Sequence, residues 1–225
     1  MRRRPVRGGC VDLTKRQEEV LDAALSLLVE KGEAPTMNAV ADRASCSKET
    51  LYKWFGGRDG LLTATVRRQA SKVRASAVPP GGFDRETLRR SLVAFARDWL
   101  LTISGETSVA LNRLAVGEAG AEERVLGRIV LSNGPLAMRE RLRPLLEAGR
   151  SAGHLAFDDL DDAFRLLFGL VVGDLQIRLL LGEEGAPSPA AIDALAERAA
   201  TDFLTLRGQD ATGAANRPHN QRTGG

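Results

Sequence analysis

One short segment of the chain brings together side chains that could bind a polyanion. Leu51 and Phe55 stand four residues apart, so on a helix they share the face that points to the core. The polar residues of the segment fall on the other faces: Lys48, Glu49, Tyr52 and Lys53. Lysine can donate hydrogen bonds to guanine edges and phosphates, and a tyrosine hydroxyl can donate to a phosphate. The pattern favours contact with nucleic acid; the alternative is a helical hairpin with a solvated basic face.

Two short helices joined by a tight turn would position these side chains. Thr36 and Ser47 are good N-cap residues, and each precedes a short segment with an apolar face, over 36–44 and 47–55. The residues between them, 44–46, predict a three-residue turn, which is the helix-turn-helix layout. In that layout the N-terminus of the second helix enters the major groove, where its free N–H groups and dipole favour a phosphate.

Further helices are predicted on both sides of this pair. Upstream, apolar residues recur with helical spacing behind a capping-box pair, Thr14 and Gln17, and the helix stops at Gly32. Downstream, a glycine pair breaks the second short helix, and a supporting helix is predicted over 58–77. We therefore expect a helix-turn-helix domain of three helices, with the fourth as its support, over 14–78.

The charge of the chain is uneven. Residues 1–75 contain 15 lysines and arginines against 9 acidic residues, whereas the remainder contains 17 against 20, within a net charge of +3. Residues 1–13 hold several arginines and two adjacent glycines without an apolar period, which predicts a flexible basic arm. A basic first third ahead of a mildly acidic body suits a polyanion-binding head. A chance fluctuation of surface charge is the alternative.

Composition argues against several other classes of protein. Apolar residues make up 43% and charged residues 27%, and no apolar run approaches the ~18–20 residues that cross a bilayer. We therefore expect a cytoplasmic protein without membrane association. Two cysteines and two histidines are too few and too scattered for a metal site, and the chain has no P-loop, G-x-G-x-x-G or H-E-x-x-H pattern. We expect no catalytic residues, no metal and no cofactor.

The remaining sequence also has helical periodicity. A Pro-Pro-Gly-Gly run at 79–82 is the strongest interior break and predicts a domain boundary. Beyond it lie a helical body over 83–207 and a polar tail over 208–225 that is expected to be disordered. Body helices are predicted over 85–103, 106–118, 122–132, 135–152, 161–181 and 187–206. The prediction is an all-α fold of about nine helices, in which a C-terminal helical domain for ligand binding and dimerisation follows the helix-turn-helix domain.

The stretch over 47–61 matches a known pattern at many fixed spacings. It reads SKETLYKWFGGRDGL and fits S-x-x-T-[LIV]-Y-x-[HYW]-F-x-x-[KR]-[DE]-x-L, with an alanine pair at 23–24 and a glycine at 32 in register. On these features residues 14–62 resemble the DNA-binding domain of TetR-family regulators. Three residues depart from what is usual in that family, namely Ser45 for the usual turn glycine, Glu33 for a common aromatic and Glu49 for a small residue.

The resemblance implies a role for each matching residue. It assigns Thr36, Ser47, Tyr52 and Arg58 to phosphates. It places Lys48, Thr50 and Lys53 toward the groove, and Trp54 at the edge of the helix. The carboxylate of Glu49 would repel a phosphate unless it accepts from a cytosine amine, and a surface or capping role is the alternative. The implied partner is a double-stranded DNA operator with a palindromic sequence.

The body is similar to the AefR-like C-terminal domain at 113–119, at 134–135 and over 149–159. Its last two helices are the expected homodimer interface. The stretch 163–181 has no wide polar face, so it must be buried on more than one side, by a partner subunit or inside the monomer. The apolar candidates are Leu166, Leu167, Leu170, Val171, Leu175, Ile177, Leu179 and Leu180, with Leu195, Ala199, Phe203 and Leu206 on the final helix.

The same resemblance implies a sensor for a small, largely apolar effector. Its pocket is expected between the 85–103 helix and the middle helices. The candidate walls are Phe95, Trp99, Leu111, Arg113, Leu114, Phe164 and Phe168. The polar residues expected in the interior are Asn112, Arg113, Glu118, Asp174 and Arg178. Residues of these types are more often surface or helix-pairing residues than ligand anchors.

The leading hypothesis from the sequence is a ligand-responsive repressor. Its effector would tilt the first and fourth helices, so that the two recognition helices of a dimer no longer fit successive major grooves. One alternative is an enzyme with an appended DNA-binding-like domain, which turnover of a bound small molecule would favour. Another is a non-sensing architectural DNA-binding protein, which a body cavity of about 300 Å³ or more would disfavour.

Overall fold

The computed structural model describes residues 13–74, 84–120 and 124–209. The first range, called the head, contains α1 (Lys15–Lys31), α2 (Met37–Arg43), α3 (Lys48–Phe55) and α4 (Arg58–Ala70). The other two ranges, called the body, contain α5 (Arg85–Ser104), α6 (Glu106–Gly117), α7 (Val125–Asn133), α8 (Pro135–Ser151), α9 (Leu160–Val172), α10 (Leu175–Leu180) and α11 (Pro189–Arg207). Within these ranges the only β-type pairing is an isolated bridge between Leu155 and Gly208. The all-α prediction is confirmed.

Two helix boundaries differ from the prediction. The stretch 161–181 divides into α9 and α10 at Gly173, whose φ of 49° and ψ of −130° suit glycine alone. The fourth helix ends at Ala70 rather than near 77, because the next turn folds Val73 into the body core, where it is 2% exposed. The predicted basic arm, the boundary at 79–82 and the tail beyond Gln209 lie outside the described residues.

Local signals explain the limits of α1 and the position of its buried face. The backbone N–H of Thr14 donates to Gln17 Oε1 at 2.8 Å, which completes the predicted capping box. The helix ends at Gly32, whose φ of 66° is the left-handed conformation typical of a helix C-terminus. Its apolar face joins α2, α3 and α4 in one head core, formed by Val20, Leu21, Ala24, Leu27, Met37, Val40, Ala41, Ala44, Leu51 and Leu61.

The turn between α2 and α3 contains one strained residue. Ser45 has a φ of 49°, a left-handed conformation that costs a residue with a Cβ atom roughly 1–2 kcal/mol. This is the position where the TetR pattern usually has glycine. The guanidinium of Arg16 on α1 donates to the carbonyls of Ala44 and Ser45, the second at 3.2 Å, and so holds the turn in this shape.

Ser45→Gly is expected to raise the free energy of unfolding by about 0.5–1 kcal/mol, because relief of the left-handed strain exceeds the extra chain entropy of glycine. Urea denaturation followed by circular dichroism measures the change. Ser71→Gly is the matched control, since Ser71 has a φ of −66° and glycine relieves nothing there. Equal or lower stability of Ser45→Gly would show that the turn is not strained.

The helix α4 connects the head to the body. One cluster of buried side chains joins α1 and α4 to α6, and its members are Leu25, Leu28, Val66 and Leu111. The guanidinium Nε of Arg67 on α4 donates to Asn133 Oδ1 on α7 at 2.8 Å. A shift of α4 relative to the body would therefore disturb packed side chains and move the head with it.

The body core lies between the long helices α5, α8, α9 and α11. Phe95, Leu142, Leu167 and Phe203 are all completely buried there. Ion pairs also link α5 to α11, with Arg97 2.5 Å from a carboxylate of that helix. Among the described residues, no helix is long and apolar enough to cross a membrane.

Candidate functional site

The helix α3 turns one face to the head core and the other to solvent. Leu51 is 0% exposed, and Phe55 is half-buried against the same cluster. On the outer faces Tyr52 is 48% exposed, and Lys48 and Lys53 are exposed as well. The four-residue apolar spacing therefore orients α3 so that its polar residues lie together on the surface.

Thr36 and Ser47 are the N-caps of the two short helices. Thr36 Oγ1 accepts from the N–H of Ala39 at 3.2 Å, and Ser47 Oγ accepts from the N–H of Thr50 at 3.1 Å. A cap uses a lone pair of the hydroxyl oxygen, so the Thr36 proton can still be donated to a phosphate. Ser47 Oγ also lies 3.0 Å from Thr50 Oγ1, and these two hydroxyls together form the rim of the α3 N-terminus.

Glu49 turns back onto the start of its own helix. Its backbone N–H and the Ser47 hydroxyl hold the pKa of the Glu49 carboxyl below the usual value, so the group is ionised at neutral pH. A carboxylate in the first turn is also stabilised by the helix dipole. These contacts are compatible with the capping role weighed from the sequence, and the carboxylate leaves a negative charge beside the point where α3 would meet a phosphate.

The basic residues of the head fall into two groups. Arg43 and Arg68 bind acidic side chains of α1, at 2.7 and 2.8 Å. Lys48, Lys53 and Arg58 are exposed, and none of them forms an ion pair within the part of the chain that the structure describes. Cations without an internal partner can neutralise phosphates without first breaking a contact of the folded chain.

A close approach between two helices holds Arg58 beside α3. The backbone of Gly60 packs on the end of α3 so tightly that a Cβ atom there would lie 1.7 Å from the carbonyl oxygen of Phe55. Only glycine fits at this contact, and it fixes the first turn of α4, including Arg58, against the end of α3. Trp54 is half-buried, with its ring edge-on to Phe55 at 6.3 Å, and therefore packs at the rim of the head core.

The body contains an apolar cavity of about 80 Å³. Its walls come from α4 and from the six helices α5 to α10. The rings of Trp99 and Phe168 meet edge-on in the wall, with their centroids 5.3 Å apart. None of the described residues that line the cavity carries a charge. The space therefore suits a small neutral molecule.

Three of the seven predicted pocket residues line this cavity, namely Trp99, Leu111 and Phe168. Phe95 and Phe164 pack behind it, with ring centroids 5.6 and 5.9 Å from that of Trp99. Those two side chains support the wall. Leu114 packs on the cluster that joins head and body.

The expectation that Arg113 lies in the interior is wrong. Its side chain is exposed and donates to the carbonyls of Leu179 at 2.7 Å and Leu180 at 3.2 Å, at the C-terminus of α10. A guanidinium satisfies the free carbonyls of a helix end well, which is the physical reason for this position. Of the other polar candidates, Asn112 lines the cavity, while Arg178 pairs with Asp174 at the surface.

Sequence reasoning missed the contribution of α4 to the cavity. Val66, Gln69 and Ala70 of this helix all line it, together with Val73 in the following turn. One feature of the sequence could have indicated this contribution: the apolar residues of the fourth helix extend past those that pack in the head core. The 6% exposed Gln69 could not have been separated by type or spacing from a surface glutamine.

The helices α9 to α11 have partly exposed apolar residues at the edge of the body core. The residues buried within this chain are Leu167, Val171, Leu175, Leu179, Ala199 and Phe203. Those left half-buried or exposed are Leu166, Leu170, Ile177, Leu180, Leu195 and Leu206. Gly169 lies exposed beside Leu166 and Leu170, and a Cβ atom there would meet nothing within 4 Å. One side of α9 is therefore buried in the chain, and the second side expected from the sequence is open.

Two patterns that could indicate other chemistry have structural explanations. The run Gly149–Gly153 fits G-x-S-x-G, but Ser151 is the last residue of α8, whereas a nucleophile elbow needs a strand-to-helix turn. In the acidic run at 158–162, Asp159 caps α9 by accepting from the N–H of Asp161 at 3.0 Å. The described ranges contain no group of three or more His, Cys, Asp or Glu side chains that could hold a metal ion.

Family models match both halves of the chain. The model for bacterial regulatory proteins of the tetR family matches residues 20–65. The model for the C-terminal domain of AefR-like transcriptional repressors matches residues 90–207, which is more than half of the chain. The two matches therefore contain α3 and most of the cavity wall.

Individual relatives resemble the chain over different lengths. A TetR transcriptional regulator from Agrobacterium tumefaciens is 46% identical with a TM-score of 0.77, and the match covers 88% of this chain and 97% of that one. The flavonoid-responsive regulator FrrA is 30% identical with a TM-score of 0.64, covering 87% and 98%. The HTH-type transcriptional repressor KstR of Rhodococcus jostii is 32% identical over 52% of this chain and 56% of its own length. The chain thus matches about half of that curated relative.

Proposed function

Because the chain belongs to the TetR family of bacterial regulatory proteins, we propose that it is a transcriptional repressor that a small molecule releases from DNA. It binds a palindromic operator as a homodimer, with α3 of each subunit in a major groove. Binding of the effector in the body cavity changes the spacing of the two α3 helices and thereby lowers the affinity for the operator.

The position of α4 is the observation that carries this proposal. The helix begins at Arg58, beside the exposed face of α3, and its last turn forms one wall of the apolar cavity. These two ends are roughly 18 Å apart along a single helix. A ligand that moves the wall therefore moves the start of α4 and the head packed on it, without any further connecting element.

The relatives support a response to a small organic molecule. FrrA, at 30% identity over nearly its full length, is described as flavonoid-responsive. KstR and the AefR-like family model are both described as repressors. We take from them the direction of regulation and the presence of an effector, and we derive the chemistry of the effector from this chain's own cavity.

An architectural DNA-binding protein is the nearest competing function. The apolar cavity of about 80 Å³ is below the ~300 Å³ typical of ligand pockets. An open, more polar cleft of about 300 Å³ shares Gln69 and Thr102 with it, so volume alone does not decide between a sensor and an architectural protein. The composition of the wall favours a sensor, because an apolar space lined in part by α4 can couple ligand binding to the position of the head. An enzyme would need reacting groups around the cavity, and its described lining has no acidic, basic or cysteine side chain.

Operator binding by the purified full-length chain tests the proposal. An operator is selected from a random duplex library and then titrated at several salt concentrations. Tyr52→Phe should weaken binding about 30-fold with an unchanged salt dependence, because it removes from each head a hydrogen bond between the uncharged tyrosine hydroxyl and a phosphate, at about 1 kcal/mol per head. Lys48→Ala should weaken binding and also lower the slope of log affinity against log salt by about 1 per head.

The proposal would be contradicted if the selection yielded no preferred sequence, or if both variants bound as tightly as the unchanged chain at moderate salt. Circular dichroism of each variant excludes loss of the fold as the cause of weaker binding. Release of the operator by a compound from a small-molecule panel would test the second half of the proposal separately.

A further inference from the structure

Gln69 is the most unusual residue of the cavity wall. It is 6% exposed, and its Nε2 donates to Ser108 Oγ at 3.0 Å. Its Oε1 is the only buried side-chain polar atom of the described residues without a hydrogen-bond partner. A buried acceptor that is left unpaired costs about 1–3 kcal/mol, so its retention beside a cavity calls for a reason.

Two other polar groups of the wall already donate to the backbone. The Thr102 hydroxyl donates to the carbonyl of Asp98 at 2.8 Å, and the Asn112 amide donates to the carbonyl of Ser108 at 2.8 Å. The Thr102 hydroxyl proton and one amide proton of Asn112 are thus committed to the backbone of their own helices. A molecule in the cavity that carries a hydrogen-bond donor would satisfy Gln69 Oε1.

The rest of the wall limits the charge, shape and size of a ligand in the cavity. The described lining has no charged side chain to compensate an ionic ligand, so an ionised group would lose its hydration without a partner. Trp99 and Phe168 offer aromatic surface on which a flat ring can pack. In another protein, an apolar cavity of about 150 Å³ holds one benzene molecule. This cavity is smaller, at about 80 Å³, so the part of a ligand that it encloses is one ring at most.

We propose that this cavity binds a small neutral aromatic molecule with one hydroxyl donor, a phenol in the broad chemical sense, whose O–H donates to Gln69 Oε1. The inference rests on the proposed function and specifies the class of effector for the same site. Binding requires the wall to widen, and the atom that holds the ligand belongs to α4. The recognition contact and the helix that transmits the response are therefore the same element.

A matched pair of probes tests the inference directly. Phenol and toluene have the same size and shape, and differ in that only phenol can donate a hydrogen bond. Dissociation constants for both are measured by NMR titration of the full-length chain and of Gln69→Leu. The ratio of the toluene constant to the phenol constant should fall about tenfold in the variant, because the acceptor is gone. Use of the ratio cancels the different hydration of the two probes.

Thr102→Val is the matched control. Thr102 also lines the cavity, but its hydroxyl is already bonded to its own helix, so the toluene-to-phenol ratio should stay within about twofold. Where Gln69→Leu does not fold, Gln69→Met removes the same acceptor with an unbranched side chain of similar length. A crystal structure of the unchanged chain with phenol gives a second measurement, in which the phenol oxygen should lie about 2.5–3.0 Å from Gln69 Oε1.

The inference is overturned if phenol does not bind the unchanged chain, if the ratio is the same in Gln69→Leu, or if the phenol oxygen lies away from Gln69. None of these results bears on operator binding, which is measured without a ligand. Conversely, a chain that binds phenol through Gln69 but selects no operator would overturn the proposed function and leave this site standing.

Discussion

Lys48→Glu is expected to lower affinity for the operator by about 100-fold or more. The residue is exposed at the first turn of α3 and has no ion pair within the described residues, so its charge is free for DNA. The substitution removes an attraction and adds a repulsion in each of two heads, and about 1.5 kcal/mol per head gives a factor of this size. The ionised Glu49 lies next to it, so the helix would then present two adjacent carboxylates to the phosphates.

Arg90→Glu is the control for this prediction. It makes the same change in charge on an exposed side chain of α5, a body helix. Fluorescence anisotropy with a labelled operator at about physiological salt should show a change of less than about threefold for Arg90→Glu. If both variants lost affinity equally, the effect would arise from net charge, and α3 would not be the contact surface.

The head could be predicted in detail because its signals are local. Thr14 with Gln17, Thr36 and Ser47 each mark a helix start through a hydrogen bond within three residues. Leu51 was assigned to the core from a four-residue spacing, and it is fully buried. Helix caps and apolar spacing depend only on residues that are close in sequence, so they can be recognised without the tertiary structure.

The cavity could be predicted only in part, because its wall is assembled from seven helices. The predicted walls include Trp99 and Phe168, which line the cavity, but also Phe95, which packs behind the wall. The exposed position of Arg113 depends on carbonyls 66 and 67 residues away. The apolar pattern of one helix does not determine how that helix is rotated relative to the six others, so it does not determine which side chains line the cavity.

The break between α9 and α10 explains a different kind of error. The apolar run over 161–181 is continuous in type, and a glycine inside such a run is compatible with a helix. Gly173 nevertheless adopts a conformation that ends α9. That this stretch has a second buried side remains a prediction in the single chain, and a substitution on the exposed side of α9 tests it.

Gly169→Arg is expected to convert the proposed homodimer to a monomer and to lower operator affinity by at least about 100-fold. Gly169 lies on the exposed side of α9, beside the half-buried Leu166 and Leu170. Its Cβ position is open in the single chain, so an arginine there costs the monomer nothing and adds helix propensity. In a closely packed helix interface the same side chain would be buried with its charge unpaired. A monomer then binds one half-site, without the high effective concentration that a linked second head provides.

Gly127→Arg is the matched control, which shows whether the effect of Gly169→Arg is specific to the interface. Gly127 is also a glycine inside a helix, in α7, and a Cβ atom there likewise meets nothing within 4 Å. Both variants should keep their helical content, but only Gly169→Arg should sediment as a monomer at micromolar concentration. A dimer that persists in Gly169→Arg would place the interface elsewhere on the body.

If Gly169→Arg became monomeric and still bound the full palindrome with undiminished affinity, the two heads would act independently. Ligand release through a change in their spacing could then not operate, because spacing matters only when both heads are held by one dimer.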